Sequence, residues 1–217
     1  MALNSVLKQL RQFRVIPVVR TSTPELAETA IEWLSAVGLR TFEITMTIPG
    51  AIDLITQYSS REDILIGAGT VTSEDQANLW LDAGAKYLVS PFVVTELTEI
   101  SHQRGALCFL GALTPTEIHT AIEANADAVK IFPVEQMGGV DYLKALLSIF
   151  PGVPLVPTGG VKSNEIALYL KSGATCVGIG SELVNEAMIR EGQREKIIKL
   201  GEKVLQQANL CSFKESK

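Results

Sequence analysis

Short apolar runs alternate along this chain with longer stretches in which apolar residues recur every three to four positions. Eight runs read as strands: VIPVVR (15–20), TFEIT (41–45), ILIGAGT (64–70), KYLVSP (86–91), LCFLGAL (107–113), AVKIFP (128–133), PLVPTGG (154–160) and CVGIGS (176–181). The stretches between them read as helices. The clearest is TPELAETAIEWLSAV, with Ala27, Ala30, Ile31 and Leu34 on one face. Its expected start has Thr23 as N-cap, Pro24 at the first helical position and Glu25 after it. The N-terminal MALNSVLKQLRQF reads as an amphipathic helix and not a signal peptide, because it lacks a long apolar region and carries basic residues throughout.

A weak repeat runs through the pattern. AVGLRTFEIT, DAGAKYLVSP, EANADAVKIFP and KSGATCVGIGS each carry a helix end, then Gly or Asn, then a strand. Gly or Asn at that point suits a left-handed helix C-cap. The units recur every roughly 40–50 residues, about two βα units of a barrel. Alternating βα units predict a parallel sheet, and strands apolar on both faces predict that both faces are covered. The expectation is one (β/α)₈ barrel over residues 1–217, preceded by a helix. An open doubly wound sheet is the alternative, disfavoured because no GxGxxG follows the first strand.

The composition of the 217 residues, 47% hydrophobic and 20% charged, suits a sizeable core. A formal net charge of −5 argues against a general nucleic-acid-binding surface. No stretch approaches the ~20 apolar residues of a membrane span. Of three cysteines, Cys108 and Cys176 fall in apolar runs and Cys211 near the C-terminus, with no metal-ligand spacing. They read as buried reduced thiols, which points to a reducing cytoplasm. The final NLCSFKESK is polar and is expected to fray.

A barrel carries its active site at the C-terminal ends of its strands. Those ends hold Arg20; Glu43 with Thr45 and Thr47; Thr70; Ser90 and Pro91; Leu113 and Thr114; Lys130 with Phe132 and Pro133; Thr158, Gly159 and Gly160; and Gly178, Gly180 and Ser181. Lys130 stands out, a charge in mid-run. Strand alternation puts Ala128, Lys130 and Phe132 on one face, which must be the lumen if the lysine is to reach a site. Lys86, by contrast, opens its strand near solvent. An ion pair is the ordinary reading for Lys130. The sharper one is a Schiff-base lysine, since desolvation disfavours the ammonium and frees the amine to attack a carbonyl. Glu43 is then the group that moves protons. His102 and His119 fall within helices and are not placed to do so. PTGGV and GIGS, after strands seven and eight, match the position where this fold binds phosphate. Glycine lets backbone N–H groups approach an anion, and SELVNEAM is expected to begin a helix at Ser181 whose dipole favours it. GAGTVTSEDQA lacks the lysine of a phosphate-binding P-loop; its glycines are read as curving the strand end near substrate, with Thr70 as the polar contact.

With these residues in place, the sequence resembles the class I 2-keto-3-deoxy-6-phosphogluconate (KDPG) and 4-hydroxy-2-oxoglutarate aldolases. The matching stretches are IPVVR, FEITMT, GAGTVTS, LVSP, GALTPTE, VKIFP, PTGGV and VGIGS, in order over nearly the whole chain. The resemblance implies a (β/α)₈ barrel, a homotrimer, and no metal or organic cofactor. It assigns the imine to Lys130, acid/base work to Glu43, substrate lining to Thr70 and Pro91, and an aromatic neighbour of the lysine to Phe132. It assigns phosphate binding to Thr158, Gly159, Gly160, Gly180 and Ser181. Many members carry an arginine where this chain has Thr47. Another branch pairs threonine there with an arginine closing strand one, here Arg20, which is therefore expected to hold a substrate carboxylate or phosphate, with Thr47 beside the substrate. The implied reaction is cleavage of KDPG, a phosphorylated keto acid, to pyruvate and glyceraldehyde 3-phosphate. The competing readings are preference for 4-hydroxy-2-oxoglutarate or another 2-keto-4-hydroxy acid, a non-catalytic phosphate-binding barrel, and a metal-dependent aldolase, the last disfavoured by the absence of a ligand cluster on the strands.

Overall fold

The computed structural model describes residues 2–210. Eight strands are present: β1 (Val15–Val19), β2 (Thr41–Thr45), β3 (Leu65–Gly69), β4 (Tyr87–Val89), β5 (Leu107–Ala112), β6 (Ala128–Ile131), β7 (Leu155–Pro157) and β8 (Val177–Ile179). Ten α-helices accompany them: α1 (Ala2–Phe13), α2 (Pro24–Ala36), α3 (Ala51–Ser59), α4 (Glu74–Asp82), α5 (Glu96–Gln103), α6 (Pro115–Glu123), α7 (Gly139–Ile149), α8 (Ile166–Lys171), α9 (Glu186–Arg190) and α10 (Arg194–Asn209). Every ladder is parallel, in the order β7-β6-β5-β4-β3-β2-β1-β8. Pairing of β1 with β8 wraps the sheet into a (β/α)₈ barrel. The seam between β7 and β8 carries no ladder; the amide of Thr175 donates to the Leu155 carbonyl across it at 2.9 Å. No helix of the described residues is long and apolar enough to cross a membrane.

Strand alternation divides the core in two. Outward residues such as Val19, Phe42, Ile44, Leu88, Leu110 and Val129 pack under the helices, where they meet Ala27, Ala30, Ile31 and Leu34 of α2. Inward residues Ile16, Tyr87, Val89, Leu107, Phe109, Ala128, Val156 and Cys176 fill the lower lumen. The amphipathic α1 closes that end, driving Leu10 fully into it beside Val6, Leu7 and Phe13. Tyr87 and Phe109 stack there at 5.7 Å between ring centroids, and Tyr87 Oη sits 3.0 Å from Thr41 Oγ1, which satisfies its polar end.

The repeat finds its physical cause in four backbone conformations. Gly38, Gly84, Asn125 and Gly173 all take positive φ, at 105°, 102°, 61° and 110°, each ending a helix before the next strand. Most strands are shorter than their apolar runs. β4, β7 and β8 have three residues each, because the chain leaves the ladder early to build the loops above the lumen. Thr23 is the N-cap of α2, with Pro24 at its first position, but its side chain makes no capping bond. Ser181 does not begin a helix. Residues 181–184 form a turn in which the Leu183 and Val184 amides both donate to the Gly180 carbonyl. The helix starts at Glu186 because Asn185 is the cap, its Oδ1 accepting from the Met188 amide at 3.0 Å. Cys108 and Cys176 are buried free thiols, and burial pushes both up to about 12. Cys211 and the rest of the C-terminal tail lie outside the described residues.

Candidate active site

Lys130 and Glu43 stand on β6 and β2, four strands apart in the sheet order and so on opposite walls of the barrel. Both point into the lumen, because their neighbours Val129 and Ile131, and Phe42 and Ile44, point out into the helix layer. Lys130 Nζ donates to Glu43 Oε1 at 3.2 Å. The two residues are 6% and 3% exposed. An ion pair this dry recovers its desolvation cost poorly unless its geometry is excellent, and 3.2 Å is long for a charge-assisted bond, which is typically about 2.7–2.9 Å. The pair is costly to stability and well placed for proton exchange.

What lets two long side chains meet across the lumen is the small size of what lies between. A Cβ on Gly69 of β3 would fall 2.2 Å from Glu43 Oε1 and 2.8 Å from its carboxyl carbon. Gly69 is therefore the recess into which the carboxylate fits. Beyond the expectation that the GAGT glycines curve the strand end, this one leaves space for the Glu43 carboxylate. Only the through-space position of Glu43 reveals that, and a single strand's sequence does not contain it.

Above the pair opens a cavity of about 410 Å³. Among its lining residues are Arg20, Lys130, Phe132, Thr158, Gly159, Gly160, Gly180 and Ser181, so most of the sequence-predicted site residues share one wall. The Phe132 ring centroid lies 5.2 Å from Lys130 Nζ, and the following Phe132–Pro133 peptide is cis. Gly159 and Gly160 take positive φ of 91° and 82°, a conformation that strongly favours glycine. That turn brings their loop onto the one after β6: the Val134 and Glu135 amides donate to the Thr158 and Gly159 carbonyls at 2.9 and 3.1 Å. The amides of Gly160, Val161, Ser181 and Glu182 donate to no protein acceptor among the described residues. They flank the unladdered seam, where an anion would find donors.

Four predicted residues are not part of the cavity wall: Glu43, which meets Lys130 beneath it, and Thr47, Thr70 and Pro91. Thr70, in the left-handed region at φ 65°, accepts from Arg20 Nη2 at 3.3 Å and so reaches the cavity through Arg20. Thr47 is exposed and its Oγ1 lies 2.9 Å from that of Thr45. Pro91 presses its backbone against Gly111. His102, in α5, bonds Asp127 Oδ2 at 2.8 Å, and His119 is exposed on α6. Both are helix histidines remote from the pair, as their sequence positions imply. Lys86 precedes β4 and is exposed. Sequence reading passed over Val18, Val161, Lys162 and Glu182, which also line the cavity. The signal for Lys162 was its position directly after the PTGGV turn.

A family model described as KDPG and KHG aldolase matches residues 6–200. The 2-dehydro-3-deoxy-phosphogluconate aldolase of Treponema pallidum (strain Nichols) is 32% identical over 203 residues, covering 93% of this chain and 97% of its own. The KHG/KDPG aldolase of Escherichia coli (strain K12) is 29% identical over 198 residues, covering 90% of this chain and 92% of its own. The crystal structure of a Legionella pneumophila KDPG aldolase, with pyruvate captured at low pH as a covalent carbinolamine intermediate, superposes with a TM-score of 0.78. It is 32% identical, over 88% of this chain and 93% of that one.

Proposed function

The chain belongs to the KDPG and KHG aldolase family, and from that premise we propose that it cleaves KDPG to pyruvate and glyceraldehyde 3-phosphate through an imine on Lys130. The carrying observation is the dry Lys130–Glu43 pair at 3.2 Å beneath a cavity edged by free backbone amides.

The mechanism follows from that placement. Lys130 passes a proton to Glu43 and attacks the C2 ketone as a neutral amine, giving a carbinolamine. Glu43 returns a proton to the departing hydroxyl, which leaves as water, and a protonated imine forms. The imine cation draws in the C3–C4 electron pair while the Glu43 carboxylate accepts the C4 hydroxyl proton. Glyceraldehyde 3-phosphate departs and leaves an enamine. Protonation at C3 and hydrolysis release pyruvate and restore Lys130. Phe132 keeps one side of the reacting carbon apolar. Thr158, Gly159, Gly160, Gly180 and Ser181 hold the phosphate, so remote binding positions the reacting end. Arg20, steadied by Thr70, takes the carboxylate, with Thr47 and Pro91 supporting the surrounding loops. Arg20→Ala should raise KM about tenfold; an unchanged KM removes Arg20 from the site.

The working unit we infer is one barrel domain over residues 1–217, assembled as a cytoplasmic homotrimer, a state that light scattering checks directly. Cleavage assays coupled to pyruvate detection test the substrate reading. A higher kcat/KM for KDPG than for 4-hydroxy-2-oxoglutarate supports it. The reverse order favours the smaller substrate, and no pyruvate from either removes catalysis.

A further inference from the structure

We propose that Lys162 is a specificity-determining residue that binds the phosphate end of the substrate. The inference rests on the KDPG reading above and adds to it a side-chain cation that the PTGGV motif does not contain.

The backbone of Lys162 is fixed while its head is free. The two left-handed glycines turn the chain out of β7, and Lys162 follows after Val161. Its amide donates to Glu165 Oε2 at 3.2 Å, and its carbonyl accepts from the Glu165 amide at 2.9 Å. The side chain, by contrast, is 58% exposed and lines the cavity. Its ionic neighbour is Glu135 Oε1 at 4.0 Å, beyond the ~2.7–2.9 Å of a charge-assisted bond. A lysine so loosely paired, on a pinned backbone, exchanges partners at little cost.

The charges around the cavity make the assignment selective. Lys130 is engaged by Glu43. Arg20 leans toward β3, bonded to Thr70. Glu182 is engaged by the Ser163 amide and hydroxyl at 3.4 and 3.0 Å. Lys162 is the remaining cation of the wall, and it stands beside the amides of Gly160 and Val161 that donate to no protein acceptor. Backbone amides fix an anion's orientation; a lysine adds a full charge that a phosphate group feels far more than a substrate ending short of the loop. Glu135 is itself 37% exposed, so water can take the place of Lys162 at its carboxylate when that 4.0 Å contact breaks.

The test compares Lys162→Met and Lys162→Arg with the unaltered protein, using KDPG, 4-hydroxy-2-oxoglutarate and inorganic phosphate as a competitive inhibitor. In Lys162→Met, KM for KDPG should rise about tenfold relative to KM for 4-hydroxy-2-oxoglutarate, and the inhibition constant of phosphate should rise in step. Lys162→Arg should restore most of both. An unchanged KM ratio, or an equal rise for both substrates, overturns the assignment. If the unaltered protein fails to cleave KDPG, the substrate reading falls instead, and direct binding of inorganic phosphate by titration calorimetry still decides: weaker binding in Lys162→Met supports the phosphate contact, and unchanged binding refutes it.

Discussion

The lower and upper halves of the barrel lumen are built from the same alternation of strands and hold opposite contents. Below, Leu10, Tyr87, Phe109, Ala128 and Cys176 close-pack into a dry plug. Above, Glu43 and Lys130 meet over the recess left by Gly69. Both halves seat a large side chain on a β3 glycine, the Tyr87 ring on Gly67 below and the Glu43 carboxylate on Gly69 above, so the chemistry of the seated group makes the difference. Apolar side chains fill the lower half and stabilise the fold; the upper half holds two ionisable ones at a cost in stability. On the proposed function, the lower half is a support and the upper half a reaction vessel.

If that division is real, substitutions in the two halves should separate cleanly. The largest effect should come from Lys130→Met, which keeps volume and removes the amine: turnover should fall at least ~10³-fold with little change in Tm. A drop of only a few-fold would assign the nucleophile elsewhere. Next comes Gly69→Ala. Its new Cβ would occupy the space of the Glu43 carboxylate, and kcat should fall by about 10²-fold or more while a structure of the variant shows Glu43 displaced. Normal kcat there would mean the carboxylate needs no such seat. In the lower half, Leu10→Ala should cost about 2–5 kcal/mol in denaturant unfolding, with KM close to that of the unaltered protein. The smallest effect concerns Cys176. Its thiol is pushed up to about 12 by burial, so at pH 8 only ~10⁻⁴ of it is thiolate. Mass spectrometry of its peptide should show slow labelling in the native protein and rapid labelling in denaturant. Rapid native labelling would show the plug opening readily.

Much of this layout can be read from the residues. The positive-φ positions at Gly38, Gly84, Asn125 and Gly173 are local backbone events, so the repeat announces them. The inward placement of Lys130 follows from apolar neighbours that must face the helices. The role of Gly69 is not legible, because it depends on a carboxylate from the adjacent strand β2. The turn at 181–184 escapes for a different reason: the expected helix start at Ser181 rests on residue type, whereas the side chain that reaches an amide is that of Asn185. Lys162 looks like any surface lysine until the loops after β7 and β8 come together.

The central claim is that Lys130 forms the imine. Borohydride reduction in the presence of pyruvate, followed by peptide mass spectrometry, tests it most directly. The account predicts a stable reduced pyruvate adduct on Lys130, absent from Lys130→Met. An unmodified Lys130, or an adduct on another lysine such as Lys162, would contradict it.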